Sequence, residues 1–116
     1  MTKKPSNKVT NKEIQEEKRS KPAVGFIPPD IIREMGKTLS DGAEKYGAYD
    51  FTKGVSVTER LHSLGRHLED LKEGVDIVPD SPSGAHTCGA IAINAAIILY
   101  MLRHRPEFDD RGFADD

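Results

Sequence analysis

The sequence predicts an all-α protein, a three-helix hairpin or bundle unit that assembles into a helical homo-oligomer. Three observations predict it. Apolar residues recur at helical spacing through Ile31, Ile32, Met35, Leu39 and Ala43, and again through Val57, Leu61, Leu64, Leu68 and Leu71. A third stretch, "AHTCGAIAINAAIILYMLRHRP", is apolar around most of its circumference. Neither a strand pattern of weight nor an internal repeat competes with these.

The elements follow in order. Residues 1–22 are rich in Lys, Asn, Ser and Glu and bury almost nothing, which predicts a flexible arm or one that wraps a neighbour. Within it, Asn11 is placed to cap a short helix running through Arg19. A helical domain then spans 23–106, and residues 107–116 form an acidic tail expected to fray. Pro28 and Pro29 suit an extended approach and a first helical turn, so the first helix is predicted over about 29–45, with Gly47 as its left-handed terminator. "SVTE", Ser56 to Glu59, is a capping box that opens the second helix, and Gly74 closes it. "VDIVPDSPSG" is a turn-rich connector, and Pro106 ends the third helix. That helix is too apolar for two sibling helices to cover, and its Ala, Gly and Cys permit close approach. A dimer or tetramer with the third helix at its centre is therefore expected.

Charge and cysteine content exclude several classes. Seven Lys and Arg against three Glu leave residues 1–22 at +4; with a chain total of −2, the remainder carries −6. An acidic body does not offer the clustered positive face that nucleic acid requires. A single cysteine permits no internal disulfide and no cysteine-based zinc site, which fits the reducing cytoplasm. The N-terminal residues lack the apolar stretch of a secretory signal, and no apolar run approaches the length of a membrane span, so no membrane partner is expected.

Several motifs dissolve on inspection. "GKT" at residues 36–38 lacks the glycine five residues earlier that a phosphate loop needs; Ile31 stands there. His62 and His67, five apart, point to different sides of a helix, and no histidine is followed by aspartate. Glu69, Asp70 and Glu73 are spaced to share Mg²⁺, yet they point mostly away from the leucine stripe, as a solvated polar face does. Cys88, among small apolar neighbours, is expected to save space in the core.

Other positions carry more. On a helical wheel His67 falls at the margin of the leucine stripe, near Arg60 and Ser63, where a side chain reaches a cleft between helices; a half-buried histidine satisfied by a neighbour fits equally. His86, Thr87 and Asn94 are the polar exceptions of the third helix and share one arc of it. Buried polar groups need partners, so each needs a neighbour or a ligand, and for Asn94 an inter-helix register role is the alternative. The loop "DGAEKYGAYDFTKG", residues 41–54, sets Tyr46, Tyr49 and Phe51 among three glycines beside Glu44 and Lys45. Aromatic faces stack on bases, an ammonium meets phosphate, and a carboxylate holds a metal.

These pieces together, the "GAEKYG" loop, an aromatic before "KG", the "RH" pair, an aspartate after a glycine turn and a His-to-Asn helix followed by "DDR", resemble the phage-type dATP/dGTP diphosphohydrolase N-terminal domain family over about residues 25–111. The resemblance implies a small helical enzyme, a relative of MazG-like all-α pyrophosphohydrolases, that splits purine deoxynucleoside triphosphates into monophosphate and pyrophosphate. It implies Mg²⁺ held by Glu44 and Asp76. It further implies catalytic roles for His67, Asp76 and His86, and substrate contacts from Lys45, Tyr46, Phe51, Arg66 and Asn94. The carboxylate quartet of MazG-like enzymes is absent: "EDLKE" imitates its first half, and the third helix carries no carboxylate. The alternative is therefore a phage protein that binds a nucleotide signal without cutting it.

Overall fold

The structure is a computed structural model that describes residues 11–13, 21–46 and 50–112, the side chains at 45, 46 and 50 excepted. Three helices dominate: α1 (Pro29–Tyr46), α2 (Val57–Lys72) and α3 (Thr87–His104), with single 3₁₀ turns at Val24–Phe26, Asp50–Lys53 and Pro106–Phe108. Among the described residues no strand forms beyond one isolated bridge, Ile77 to His86, so the chain is all-α as expected. Residues 11–13 are helical; the rest of the short helix expected there, and Gly47, lie outside the described residues.

Local chemistry sets the helix ends. Pro29 opens α1 at a position where its missing N–H is no loss. Ser56 caps α2, its Oγ accepting from the Glu59 N–H at 3.1 Å. At the other end Gly74, with φ 84°, lets its N–H reach Leu71 O and the Val75 N–H reach Asp70 O, a Schellman closure. Although read from sequence as a helical residue, His86 is the cap of α3: its Nδ1 accepts from the Cys88 N–H at 2.9 Å.

α3 is the central element. It packs against both α1 and α2, while those two make few contacts with each other. Its buried side chains, Thr87, Ala90, Ile93, Asn94, Ile97 and Met101, recur at spacings of three and four, and Val57 and Ala85 complete the core. Gly89 lets α1 come close, because a Cβ there would lie 3.1 Å from Glu34 O. Cys88, by contrast, is exposed, as are Ala95 and Leu99 farther along α3. The expectation of a core cysteine is corrected accordingly. A second correction concerns length: α3 is long and apolar enough, by length and composition, to cross a membrane. The central helix of a water-soluble bundle meets the same measure.

The leucine stripe of α2 does not point straight at α3. Val57 is fully buried, but Leu61 and Leu68 are 41% and 42% exposed. At about 100° per residue the inward face centres on Leu64 and Leu71, a rotation that carries Arg60 and His67 inward at the expense of two leucines. α1 behaves similarly, leaving Ile31 and Ile32 about half exposed.

The C-terminal segment folds back through Arg111 and is not frayed there. Asp110 accepts from Ser56 Oγ and, at 2.9 Å, from the Thr58 N–H, so its carboxylate sits on the N-terminus of α2. These bonds hold its pKa down at about 2. Arg105 donates to Lys53 O at 2.8 Å, and the Phe108 ring covers Gly54, whose φ of 117° and missing Cβ the contact requires.

Candidate functional site

Because α1 and α2 lean on α3 without closing on each other, an open cleft of ≈ 1210 Å³ lies between them. α1 lines it from Thr38 to Glu44, α2 contributes Glu59, Arg60, Ser63, Arg66 and His67, and α3 contributes Ala90, Ile93, Asn94 and Ile97. Phe51, Val55 and residues 78–82 of the connector also line it.

The connector is fixed by one carboxylate. Asp41 of α1 accepts from Ser81 Oγ and, at 3.2 Å, from the Ser83 N–H, while Ser81 Oγ also accepts from the Ala85 N–H at 2.9 Å. Burial pushes the Asp41 carboxyl up, but the hydrogen bonds from Ser81 and Ser83 outweigh it and hold it below its usual range. Asp41 is therefore occupied in shaping the cleft wall.

The cleft's other polar groups are less well matched. Asn94, only 3% exposed, donates through Nδ2 to Ala90 O at 2.8 Å and accepts at Oδ1 from Arg60 Nη1 at 3.2 Å. Among the described residues, three that line the cleft each carry a buried polar atom with no hydrogen-bond partner: Thr38 Oγ1, Arg60 Nε and His67 Nδ1. Burial lowers the His67 pKa below its ordinary value; Asp70 opposes the shift, and Arg66 and Arg60 reinforce it. The imidazole is thus biased toward its neutral form, with one nitrogen able to donate and the other to accept.

Glu44, Phe51, Arg66, His67 and Asn94, all singled out in the sequence, line this one cleft. Phe51 meets Tyr100 edge-on with ring centroids 5.5 Å apart, and Arg66 Nη2 donates to Ser63 Oγ at 3.1 Å. Lys45 and Tyr46 occupy the last turn of α1, and their side chains, like all of Tyr49, lie outside the described residues. Asp76 and His86 are placed apart from the cleft lining. The Asp76 carbonyl accepts from the Thr87 N–H at 2.7 Å, and the His86 N–H donates to Glu34 Oε2 at 2.7 Å, so both serve the start of α3. His86 borders a smaller pocket of ≈ 300 Å³ with Glu34, Met35 and Cys88.

Sequence reasoning passed over Arg60 and Thr38. A signal for Arg60 was present: it stands three residues after Val57 and four before Leu64, a core-facing register occupied by a charge. Thr38 gave none.

Metal ligation has a limited donor set. Among the described residues no three His, Cys, Asp or Glu side chains come together as a metal-binding group. Mg²⁺, however, commonly takes one or two carboxylates and completes its shell with water and substrate phosphates, a demand that Glu44 on the cleft wall can meet in part.

The comparisons agree with the resemblance in the sequence. A family model described as dATP/dGTP diphosphohydrolase, N-terminal, matches residues 11–111. A protein named dATP/dGTP diphosphohydrolase from Salmonella phage PMBT28 is 28% identical over 93 residues, covering 80% of this chain and 31% of that protein. The chain thus spans about a third of the length of the curated relative it matches. No solved structure matches it. With the family model covering most of the chain, from the arm to the end of the docked C-terminal segment, the protein belongs to the dATP/dGTP diphosphohydrolase N-terminal family.

Proposed function

We propose that the cleft between α1 and α2 binds a purine deoxynucleoside triphosphate and that the protein hydrolyses it, with Mg²⁺, to monophosphate and pyrophosphate in phage nucleotide metabolism in the host cytoplasm. The observation that carries this reading is the lining: the aromatic ring of Phe51, the two guanidinium groups of Arg60 and Arg66, and an uncommitted carboxylate, Glu44, around one cleft. Aromatic stacking suits a base, and guanidinium groups suit phosphate oxygens. Glu44 would hold Mg²⁺, with the substrate's phosphates as further ligands; the ion supplies charge neutralisation and a more acidic bound water. His67 lines the same cleft, and its enclosed, unpartnered Nδ1 would take or give a proton once a ligand reaches it. Asp76 and His86 would act from outside this lining only by orienting α3, whose first turn they hold.

A second reading, a nucleotide-binding protein that does not cut, is favoured by the lack of a grouped carboxylate set among the described residues. Chromatography of products after incubation with dATP, dGTP and GTP, in Mg²⁺ or in EDTA, separates the two. Hydrolysis predicts monophosphate and pyrophosphate only with Mg²⁺; intact nucleotide that still binds in EDTA supports capture without cleavage.

The homo-oligomer is part of the proposal. Ala95, Ala96 and Leu99 are exposed on α3, a face on which a second α3 would pack. Light scattering on eluted protein reads the dimer or tetramer directly.

A further inference from the structure

We infer that Arg60 is the anion-receiving residue of the cleft: held by Asn94, its guanidinium binds the phosphate oxygens of the ligand, with Thr38 Oγ1 and His67 Nδ1 as further polar contacts. This rests on the reading of the cleft as a nucleotide site and assigns the phosphate end of that site.

The argument begins with an imbalance. A guanidinium is always charged and carries five N–H donors. Arg60 Nη1 donates to Asn94 Oδ1 at 3.2 Å, Nε is buried without a partner, and among the described residues no carboxylate forms an ion pair with it. The Arg60 side chain is half-buried on the cleft wall with its Nε enclosed, and a charge partly withdrawn from water with no counter-ion beside it is unfavourable. Had position 60 served only packing, a leucine would fill it; instead α2 turns Leu61 and Leu68 toward solvent while Arg60 is half-buried against the cleft.

Asn94 supports the same conclusion as a positioning residue. Its amide is oriented by the Nδ2 bond to Ala90 O, which leaves Oδ1 facing Arg60. A neutral acceptor fixes the guanidinium without neutralising it, where an aspartate would satisfy the charge internally and compete with an incoming anion. The fork is thereby aimed and left charged. Orphaned atoms on both walls, Thr38 from α1 as well as Arg60 and His67 from α2, add donors and acceptors that a bound polar ligand would satisfy together.

The test is calorimetric titration of the full chain, with Mg²⁺ present, using sodium tripolyphosphate, dATP and deoxyadenosine as probes. Wild type is compared with Arg60→Gln, Arg60→Lys and Arg66→Gln. Arg60→Gln is expected to weaken tripolyphosphate and dATP by about 30-fold or more, the range for losing a charged hydrogen-bond pair. Its unliganded melting temperature should stand at or above that of wild type, because an unpaired charge has been removed. Arg60→Lys should fold and recover part of the affinity, the charge being kept and the fork lost. A purely structural arginine gives the opposite pattern: Arg60→Gln melts lower without ligand and its folded fraction binds as wild type does, which overturns the inference. Wild type that binds dATP and deoxyadenosine equally and ignores tripolyphosphate also overturns it, while leaving a nucleotide site standing. Binding of none of the three overturns the nucleotide reading itself.

Discussion

The two ends of α2 meet the rest of the molecule on different terms. At its N-terminus the polar groups are matched: Ser56 Oγ serves both Glu59 and Asp110, and the Thr58 N–H and hydroxyl both donate to Asp110. Along its cleft-facing side, Arg60 Nε and His67 Nδ1 are buried and unmatched, and across the cleft so is Thr38 Oγ1. The same chain that finds a partner for a serine 54 residues away leaves an arginine half-satisfied. Matched groups hold the fold; under the proposed function the unmatched ones are where a ligand would bind. This difference is what assigns the cleft, more than its volume does.

The sharpest way to break the comparison is to make one substitution on each side of it. Thr87 is fully buried and its hydroxyl donates to Val75 O at 2.7 Å, whereas Thr38 Oγ1 is buried with no partner. Thr87→Val strands the Val75 carbonyl and is expected to cost roughly 1–3 kcal/mol by urea unfolding. Thr38→Val removes an orphan at equal volume and is expected to leave stability unchanged or raise it by up to about 1 kcal/mol, while weakening nucleotide binding. Equal losses from both would mean that Thr38 is satisfied in solution and that the contrast is false.

A smaller effect separates the two regions by pH. The His67 pKa is depressed, so above its ordinary value of 6.5 both folded and unfolded states are neutral and the group contributes nothing to pH dependence. As pH falls below 6.5 the unfolded chain takes up the proton first, and stability declines until the folded value is passed. Asp110 works in another window: its stabilisation is fully present above 3.8 and lost as pH falls through about 2. Urea midpoints at pH 7.5, 6.5 and 5.5 should therefore fall more for wild type than for His67→Gln, and Asp110→Asn should leave that slope intact. Parallel slopes for wild type and His67→Gln would show that the imidazole is not held neutral by the cleft.

How far the sequence disclosed this follows from the range of each interaction. Helix ends were legible where the signal is local, as at Ser56, Gly74 and Pro106. The docking of Asp110 was not, because it depends on a contact 54 residues back, and the acidic composition of "EFDDRGFADD" pointed to fraying instead. His86 and Cys88 differ from expectation for two reasons: the helical periodicity does not show that α3 starts only at Thr87, and composition does not show that Cys88 is left exposed. His67 was placed correctly at a cleft margin because a helical wheel suffices for it. Arg60, seven residues earlier, shares that face on the wheel, but its bond to Asn94 depends on a contact 34 residues away that the sequence does not display. Where Asp76 and His86 were grouped with the cleft residues on resemblance, the folded chain places them at the root of α3.

The smallest expected effect bears on the largest functional question. Glu69 and Lys72 form an i,i+3 pair at 3.3 Å with both side chains about two-thirds exposed, so Glu69→Gln should change stability by less than about 0.5 kcal/mol. Its weight lies in activity. "EDLKE" is the segment that imitates the first half of a MazG-like carboxylate set, yet Glu69 points to solvent and does not line the cleft. If the protein hydrolyses nucleotides as proposed, Glu69→Gln should retain Mg²⁺-dependent turnover while Glu44→Gln loses it. Loss of turnover in Glu69→Gln with stability unchanged would instead move the metal to the outer face of α2, away from Arg60. Phosphate binding and metal binding would then lie on different surfaces of one helix, which is incompatible with a single nucleotide bridging them within one protomer and would require a second copy to complete the site.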